Sequence, residues 1–79
     1  MKDLLVMILK QIVNYPDEIE VEEQVDENDP TFVKFLINAN NEDRGIIIGK
    51  KGHTIAALRD VLSIKAVREN KKVRLEIVD

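Results

Sequence analysis

Arg44-Gly45-Ile46-Ile47-Ile48-Gly49-Lys50-Lys51-Gly52-His53-Thr54-Ile55 is the stretch from which the rest of the chain is read. A run of aliphatic residues meets two glycines with two lysines between them, and a long helical pattern follows. Gly49 and Gly52 have access to backbone conformations closed to residues with a Cβ, and they let another molecule approach the main chain closely. Lys50 and Lys51 put two positive charges at the tip of the turn. The free N–H groups of the helix that begins just beyond point back toward them. Those groups and the helix dipole attract anions. A phosphodiester backbone fits such a place, with bases reaching toward Ile47, Ile48 and Ile55.

The 79 residues leave room for one domain, spanning 1–79. A chain this short buries only about 60% of its extended surface, so its core is small. A hydrophobic fraction of 44% is that of a folded protein rather than a disordered tail. With no cysteine there is neither a disulfide nor a thiolate metal site. Leu4 to Leu9 is apolar but too short for a signal peptide, and Lys10, Gln11 and Asn14 follow it. No run approaches membrane-spanning length. A cytoplasmic protein with no membrane partner is expected.

The net charge of −3 argues at first against nucleic acid, but its distribution does not. Residues 1–40 hold 3 basic and 9 acidic side chains; residues 41–79 hold 9 basic and 6 acidic. That asymmetry is a local basic footprint on an acidic body. Lys65, Arg68, Lys71 and Lys72 read more simply as a solvated surface.

The pattern predicts a helix over 2–14, with Leu5, Ile8, Leu9, Ile12 and Val13 on one stripe. Pro16 stops it. Residues 19–25 alternate as a strand with Ile19, Val21 and Val25 inward, interrupted by Glu23. Residues 26–30 form an acidic turn. A second strand follows, with Val33, Phe35, Ile37 and Ala39 inward and Phe32, Lys34 and Leu36 outward, and the short turn makes the two strands antiparallel. Asp43 or Asn41 caps a short helix over 44–48. The longest helix covers 53–69, its core stripe of Ile55, Leu58, Leu62 and Ala66 widened by Val61 and Val67. Asn70 ends it in a left-handed conformation. Val73, Leu75 and Ile77 alternate as the last strand. Phe32, Leu36 and Val78 would form an apolar patch on the open sheet face, and with it a route to self-association.

Ile48-Gly49-Lys50-Lys51-Gly52-His53-Thr54-Ile55 resembles the KH-domain signature, an aliphatic residue, Gly-x-x-Gly, two more residues and Ile. A bare Gly-x-x-Gly is a weak signal; the flanking aliphatics and the order α-β-β-α-α-β strengthen it. With Asn14-Tyr15-Pro16-Asp17-Glu18-Ile19-Glu20-Val21 and Val73-Arg74-Leu75-Glu76-Ile77, the whole chain is similar to the small bacterial single-KH proteins of the KhpA type. The resemblance implies an α+β, type II KH domain, three helices on one face of a three-stranded mixed sheet. In KH domains this loop clamps the backbone of about four single-stranded nucleotides. It also implies a homodimer, or a heterodimer with a second RNA-binding protein of the KhpB (Jag) type. A groove carried over from the family would have the acidic turn 26–30 on its second wall, where it would repel phosphate.

The expected RNA-binding residues are Gly49, Lys50, Lys51 and Gly52 as the clamp, Ile48 and Ile55 beneath bases, and His53, Arg44 and Arg59 around it. Each has a plainer reading. Lys50 and Lys51 are ordinary turn residues, and Arg44 pairs with Asp43. Arg59 pairs with Asp60 or Glu76, and Ile48 and Ile55 are core. His53 faces solvent, since one imidazole with no cysteine and no second histidine is a poor metal site. No cofactor is expected. Gly45-x-x-x-Gly49-Lys50-Lys51 fails as a P-loop, with one residue too few between the glycines and no hydroxyl after the lysine. Asp26-x-Asn28 fails as a calcium loop, with Pro30, Thr31 and Ile37 where ligands and a glycine are needed. Nothing assembles an acid–base or nucleophilic constellation. The expectation is therefore a non-catalytic single-stranded RNA-binding protein, an RNA chaperone or post-transcriptional regulator. The alternative is a protein-interaction or dimerisation module on the same scaffold.

Overall fold

The computed structural model describes residues 1–78. Helix α1 (Lys2–Ile12) lays Leu5 and Leu9 into the core. It ends two residues earlier than its apolar pattern, with Val13 already extended and Ile12 37% exposed. A 3₁₀ turn at Pro16–Glu18 leads to strand β1 (Glu20–Val25). Strand β2 (Phe32–Asn38) then runs antiparallel to β1, with Val21 opposite Ile37 and Val25 opposite Val33. Helix α2 (Asn41–Ile48) and helix α3 (His53–Arg68) follow, and strand β3 (Lys72–Ile77) closes the sheet. The sheet order is β1-β2-β3, with β3 parallel to β2 and Val33, Phe35 and Ile37 opposite Val73, Leu75 and Ile77. It is thus an α+β fold, three helices on a mixed three-stranded sheet.

The central strand supplies the middle of the core: Val33, Phe35, Ile37 and the following Ala39 are all buried. Ile19, Val21, Ile47, Leu58, Leu62 and Ala66 close around them. Asn70 takes the left-handed conformation, φ 57°, after α3.

Several expectations fail, each for a local reason. Val25 is 52% exposed, because β1 runs past the core after Val21. Val61 and Val67 are 45% and 71% exposed. Leu58, Leu62 and Ala66, spaced four apart, already fill the narrow contact of α3 with the sheet. The open-face patch is divided. Phe32 lines one depression with Lys34 and Arg74, while Leu36 and Val78 line another with Glu20 and Glu22. Between them Lys34 Nζ lies 3.0 Å from Glu76, which Arg74 also contacts at 3.3 Å.

Helix α2 is capped by neither Asp43 nor Asn41. The Asn40 side chain accepts from Glu42 N–H at 2.9 Å, and the helix starts at Asn41, three residues earlier than expected. Asp43 is fully buried and does different work. Its two carboxylate oxygens accept the backbone N–H groups of Asn14 and Tyr15, each at 2.9 Å. The end of α1 is thereby fastened to the first turn of α2. Glu42 also hydrogen-bonds the Tyr15 phenol, which with burial and the nearby Asp43 and Glu18 carboxylates raises its pKa above the ordinary tyrosine value. Truncation of Asp43 leaves two amide donors without their acceptor. Asp43→Ala is expected to lower the unfolding free energy by about 2–3 kcal/mol in urea titrations, and Asp43→Asn, which keeps one acceptor, by less.

Candidate nucleic-acid interface

Helix α2 closes with Gly49 N–H donating to Gly45 O at 2.9 Å, and the chain then turns sharply. Three of the next four residues have positive φ: Gly49 (75°), Lys51 (56°) and Gly52 (76°). Gly52 N–H donates back to Gly49 O at 3.1 Å, closing a single 3₁₀ turn over Lys50–Gly52. Helix α3 starts at once, and Gly52 has no side chain to cap it. The first-turn N–H groups of α3 are therefore presented beside the lysines.

The two glycines are required for different reasons. Gly49 combines φ 75° with ψ 171°, a region essentially reserved for glycine. A Cβ there would also lie 2.6 Å from Thr54 Cβ and 2.7 Å from Thr54 N, and closer still to its hydroxyl. Gly52, at ψ 14°, is simply left-handed, and a Cβ would meet nothing within 4 Å. Lys51 holds a left-handed conformation at a cost of about 1–2 kcal/mol for a residue with a Cβ.

Lys50, Lys51 and His53 are exposed around this turn. Two depressions open beside it. Arg44, Ile48, Ile55, Leu75, Glu76 and Ile77 line one, and Gly52, Ile55, Ala56, Arg59 and Leu75 line the other. Ile55 and Leu75 belong to both, so the two form one shallow groove. Its walls are the α2–α3 pair and strand β3. Among the described residues β3 pairs only with β2, so its outer edge is free along the groove. Ile48 is 41% exposed and Ile55 half-buried, so both serve the groove more than the core. Arg59 lies 3.5 Å from Asp60, in an exposed pair of little strength. Glu76 is occupied by Lys34 and Arg74.

All nine sequence-derived site residues thus gather at one end of the molecule. The sequence reading missed Ala56, Leu75, Glu76 and Ile77. The alternation of β3 was visible, but nothing in it says that the strand forms an edge beside the helices. The acidic turn 26–30 does not form the second wall. Lys72 N–H donates to Thr31 O at 2.7 Å, so that turn sits at the start of β3 and the groove at its finish. Thr31 donates to Asp29 through its hydroxyl and its backbone N–H, which, with Lys72 nearby, holds the Asp29 carboxyl below the usual aspartate range. Among the described residues no group of three His, Cys, Asp or Glu is placed to hold a metal ion, and no helix is long and apolar enough to cross a membrane.

A glycine-bounded turn between two helices, opening onto a groove floored by aliphatic side chains, defines a KH domain. The chain belongs to the KhpA/KhpB KH-domain family, whose model matches residues 2–77. It is 40% identical over 78 residues to the RNA-binding protein KhpA of Clostridium acetobutylicum, covering 99% of this chain and all of that one. The Chlamydia trachomatis protein of the same name is 42% identical over 79 residues, covering 97% of its length. Among solved structures, Era in complex with MgGDPNP and nucleotides 1506–1542 of 16S ribosomal RNA shares the fold, with a TM-score of 0.57 and 22% identity. The match covers 95% of this chain and 28% of the Era chain. The family is one of binding domains, not of enzymes.

The glycine asymmetry is testable by thermal or urea unfolding. Gly52→Asn is expected to be nearly neutral and Gly52→Ala to cost about 1 kcal/mol. Gly49→Ala should cost several times more, because it adds overlap with the α3 backbone to the conformational strain.

Proposed function

We propose that this chain binds single-stranded RNA without altering it chemically, and serves in the cytoplasm as an RNA chaperone or post-transcriptional regulator. The observation that carries this reading is the continuity of the Gly49-Lys50-Lys51-Gly52 turn with the groove along Ile48, Ile55 and Leu75. Gly49 and Gly52 bring the backbone of the turn close to the sugar–phosphate chain. Lys50, Lys51 and the N–H groups of the first turn of α3 neutralise phosphate. His53, exposed in that turn, adds a donor. Ile48 and Ile55 give bases an apolar floor, the outer edge of β3 offers backbone donors and acceptors, and Arg44 and Arg59 flank the path. The relatives named RNA-binding proteins, alike over their whole length, support this reading. Pairing with a KhpB-type protein fits the family to which the chain belongs.

A groove with no exposed aromatic side chain among its lining residues cannot stack bases as sheet-surface readers do. Contact with the backbone dominates, and unpaired DNA is the nearest competitor. If Lys50, Lys51 and Arg59 each neutralise one phosphate, three contacts on a single strand give a slope of log K against log salt of roughly −2. A slope twice as steep would assign binding to a wider surface.

The decisive variant is Lys50→Asp with Lys51→Asp. It should abolish binding of an unstructured RNA pool in fluorescence anisotropy while leaving the circular dichroism spectrum unchanged. In the native chain, the same RNA should shift the amide resonances of residues 49–55. Shifts centred elsewhere, or binding that survives the double substitution, sink the clamp.

A further inference from the structure

The open face of the sheet carries a depression that the groove does not use. Alternation fixes its lining: Val33, Phe35 and Ile37 are buried under the helices, so Phe32, Lys34 and Leu36 face the other way. Phe32 and Lys34 of β2, Arg74 of β3, and Gln24, Val25 and Asp26 at the end of β1 line a space of about 310 Å³. Ligand pockets begin at roughly 300 Å³. A single partly covered phenylalanine on a sheet face is ordinary. The chemistry on its two flanks sets this one apart.

Phe32 lies on the middle strand. On the β3 side, Arg74 stands level with Lys34, and both are tied to one carboxylate: Lys34 Nζ and Arg74 Nε lie 3.0 and 3.3 Å from Glu76. Glu76 thus holds two cations side by side. The Arg74 contact uses Nε, and a guanidinium has two further nitrogens that donate. On the β1 side, Asp26 is positioned by accepting the Asn28 N–H at 2.8 Å, and Gln24 stands level with Lys34. The depression therefore has an aromatic side chain between donors and a carboxylate, with the two outer strands about 10 Å apart.

Flanks of opposite sense select among bases. Guanine alone gathers two acceptors, O6 and N7, on one edge and two donors, N1–H and the N2 amino group, on the adjoining edge. Cations read the first edge and a carboxylate reads the second. Adenine places a donor and an acceptor on the same edge, and uracil would turn carbonyl oxygens toward Asp26. An aromatic ring stacks on any base. Phe32 thus supplies affinity, and its flanks supply the choice.

We propose that this depression takes one unpaired guanine of an RNA strand, at a site separate from the groove. That the guanine is borne by a strand rests on the RNA-binding function proposed above. None of the lining residues belongs to a glycine turn or a helix start, so the phosphates of a free nucleotide find no cradle here. One stacking contact in a shallow pocket holds a lone base only at millimolar strength. It gains weight once the strand is held at the clamp, when capture becomes intramolecular. The clamp stands at the finish of β3 and the depression near its start; from Lys72 to Ile77 the strand rises about 17 Å. A chain leaving the groove reaches the depression round the outer edge of β3.

The pocket is tested first without RNA, by titrating the full chain with GMP, AMP, CMP and UMP and following amide resonances. GMP at millimolar concentration should shift Gln24, Asp26, Phe32, Lys34 and Arg74, and the other three should bind about fivefold more weakly or worse. Asp26→Asn should bring GMP down to the level of AMP, and Arg74→Gln should weaken GMP by a similar factor, both with the native circular dichroism spectrum. Equal shifts from all four nucleotides, no shifts, or GMP shifts centred elsewhere overturn the proposal. In the chain carrying Lys50→Asp and Lys51→Asp, GMP should shift the same amides, so failure of the clamp leaves the pocket standing. On RNA, guanines placed outside the clamped segment of a uridine strand should tighten binding about fivefold. That gain should vanish in Asp26→Asn, while a short uridine oligonucleotide binds the variant as it binds the native chain. GMP bound in the pocket with no gain from guanine in the strand overturns the pocket's place in RNA binding.

Discussion

The parallel pairing of β2 with β3 decides where everything else must go. Two parallel neighbours cannot be joined by a hairpin, so the chain leaves β2 at Asn38 and has to re-enter at Lys72, beside Phe32 at the other end of the sheet. Helices α2 and α3 make that return. Because α3 runs from the Gly49–Gly52 turn back to the start of β3, the turn must stand where β3 finishes, next to Leu75 and Ile77. The groove is thus a consequence of topology: it is the space left between a helical crossover and the edge strand it serves. The same geometry carries the acidic β1–β2 turn to the far end of β3, beside Lys72.

The turn itself is costly, and the surrounding structure sustains it. Three positive φ values in four residues, one of them at a lysine, are not what a free peptide prefers. Gly49 is pressed against the backbone of Thr54, so α3 holds one end of the turn. The other end is held through α2, whose first turn Asp43 fastens to Asn14 and Tyr15. Strain kept in place from both sides gives a loop whose shape is set before a ligand arrives. A preformed loop loses little conformational freedom on binding. The clamp proposed above, with few phosphate contacts, would need that saving more than an extended basic surface does.

What the sequence disclosed, and what it withheld, divides along physical lines. Period-two alternation placed Val33, Phe35, Ile37 and Ala39 correctly, because a central strand buries one face without exception. The Gly-x-x-Gly signature was readable because backbone conformation restricts residue type so strongly there. Asp43 was misread as a cap. Its true partners, Asn14 and Tyr15, are nearly thirty residues away, and no local pattern announces a contact at that range. Val61 and Val67 were assigned to the core because a helix apolar on all sides has no periodicity from which to choose a face. Only the packing of Leu58, Leu62 and Ala66 decides the matter. The wall formed by Leu75 and Ile77 was hidden for a related reason: alternation reports which face of a strand is apolar, not what stands beside its edge.

The net charge is a poor guide to this molecule because its charges are sorted by distance from the groove. The densest cluster of acid, six of the fifteen acidic side chains, lies on β1 and the turn after it, at Glu20, Glu22, Glu23, Asp26, Glu27 and Asp29. β1 is separated from β3 by a whole strand. With strands about 4.8 Å apart, that places β1 about 10 Å from β3. The screening length at physiological salt is about 8 Å. On the proposed reading, a phosphate at the turn meets Lys50, Lys51 and the N–H groups of α3 at contact distance, while the glutamates of β1 lie beyond β3 and β2. A net charge of −3 therefore does not argue against the proposed contact with a phosphate backbone, whose position would be set by the fold rather than by the overall charge.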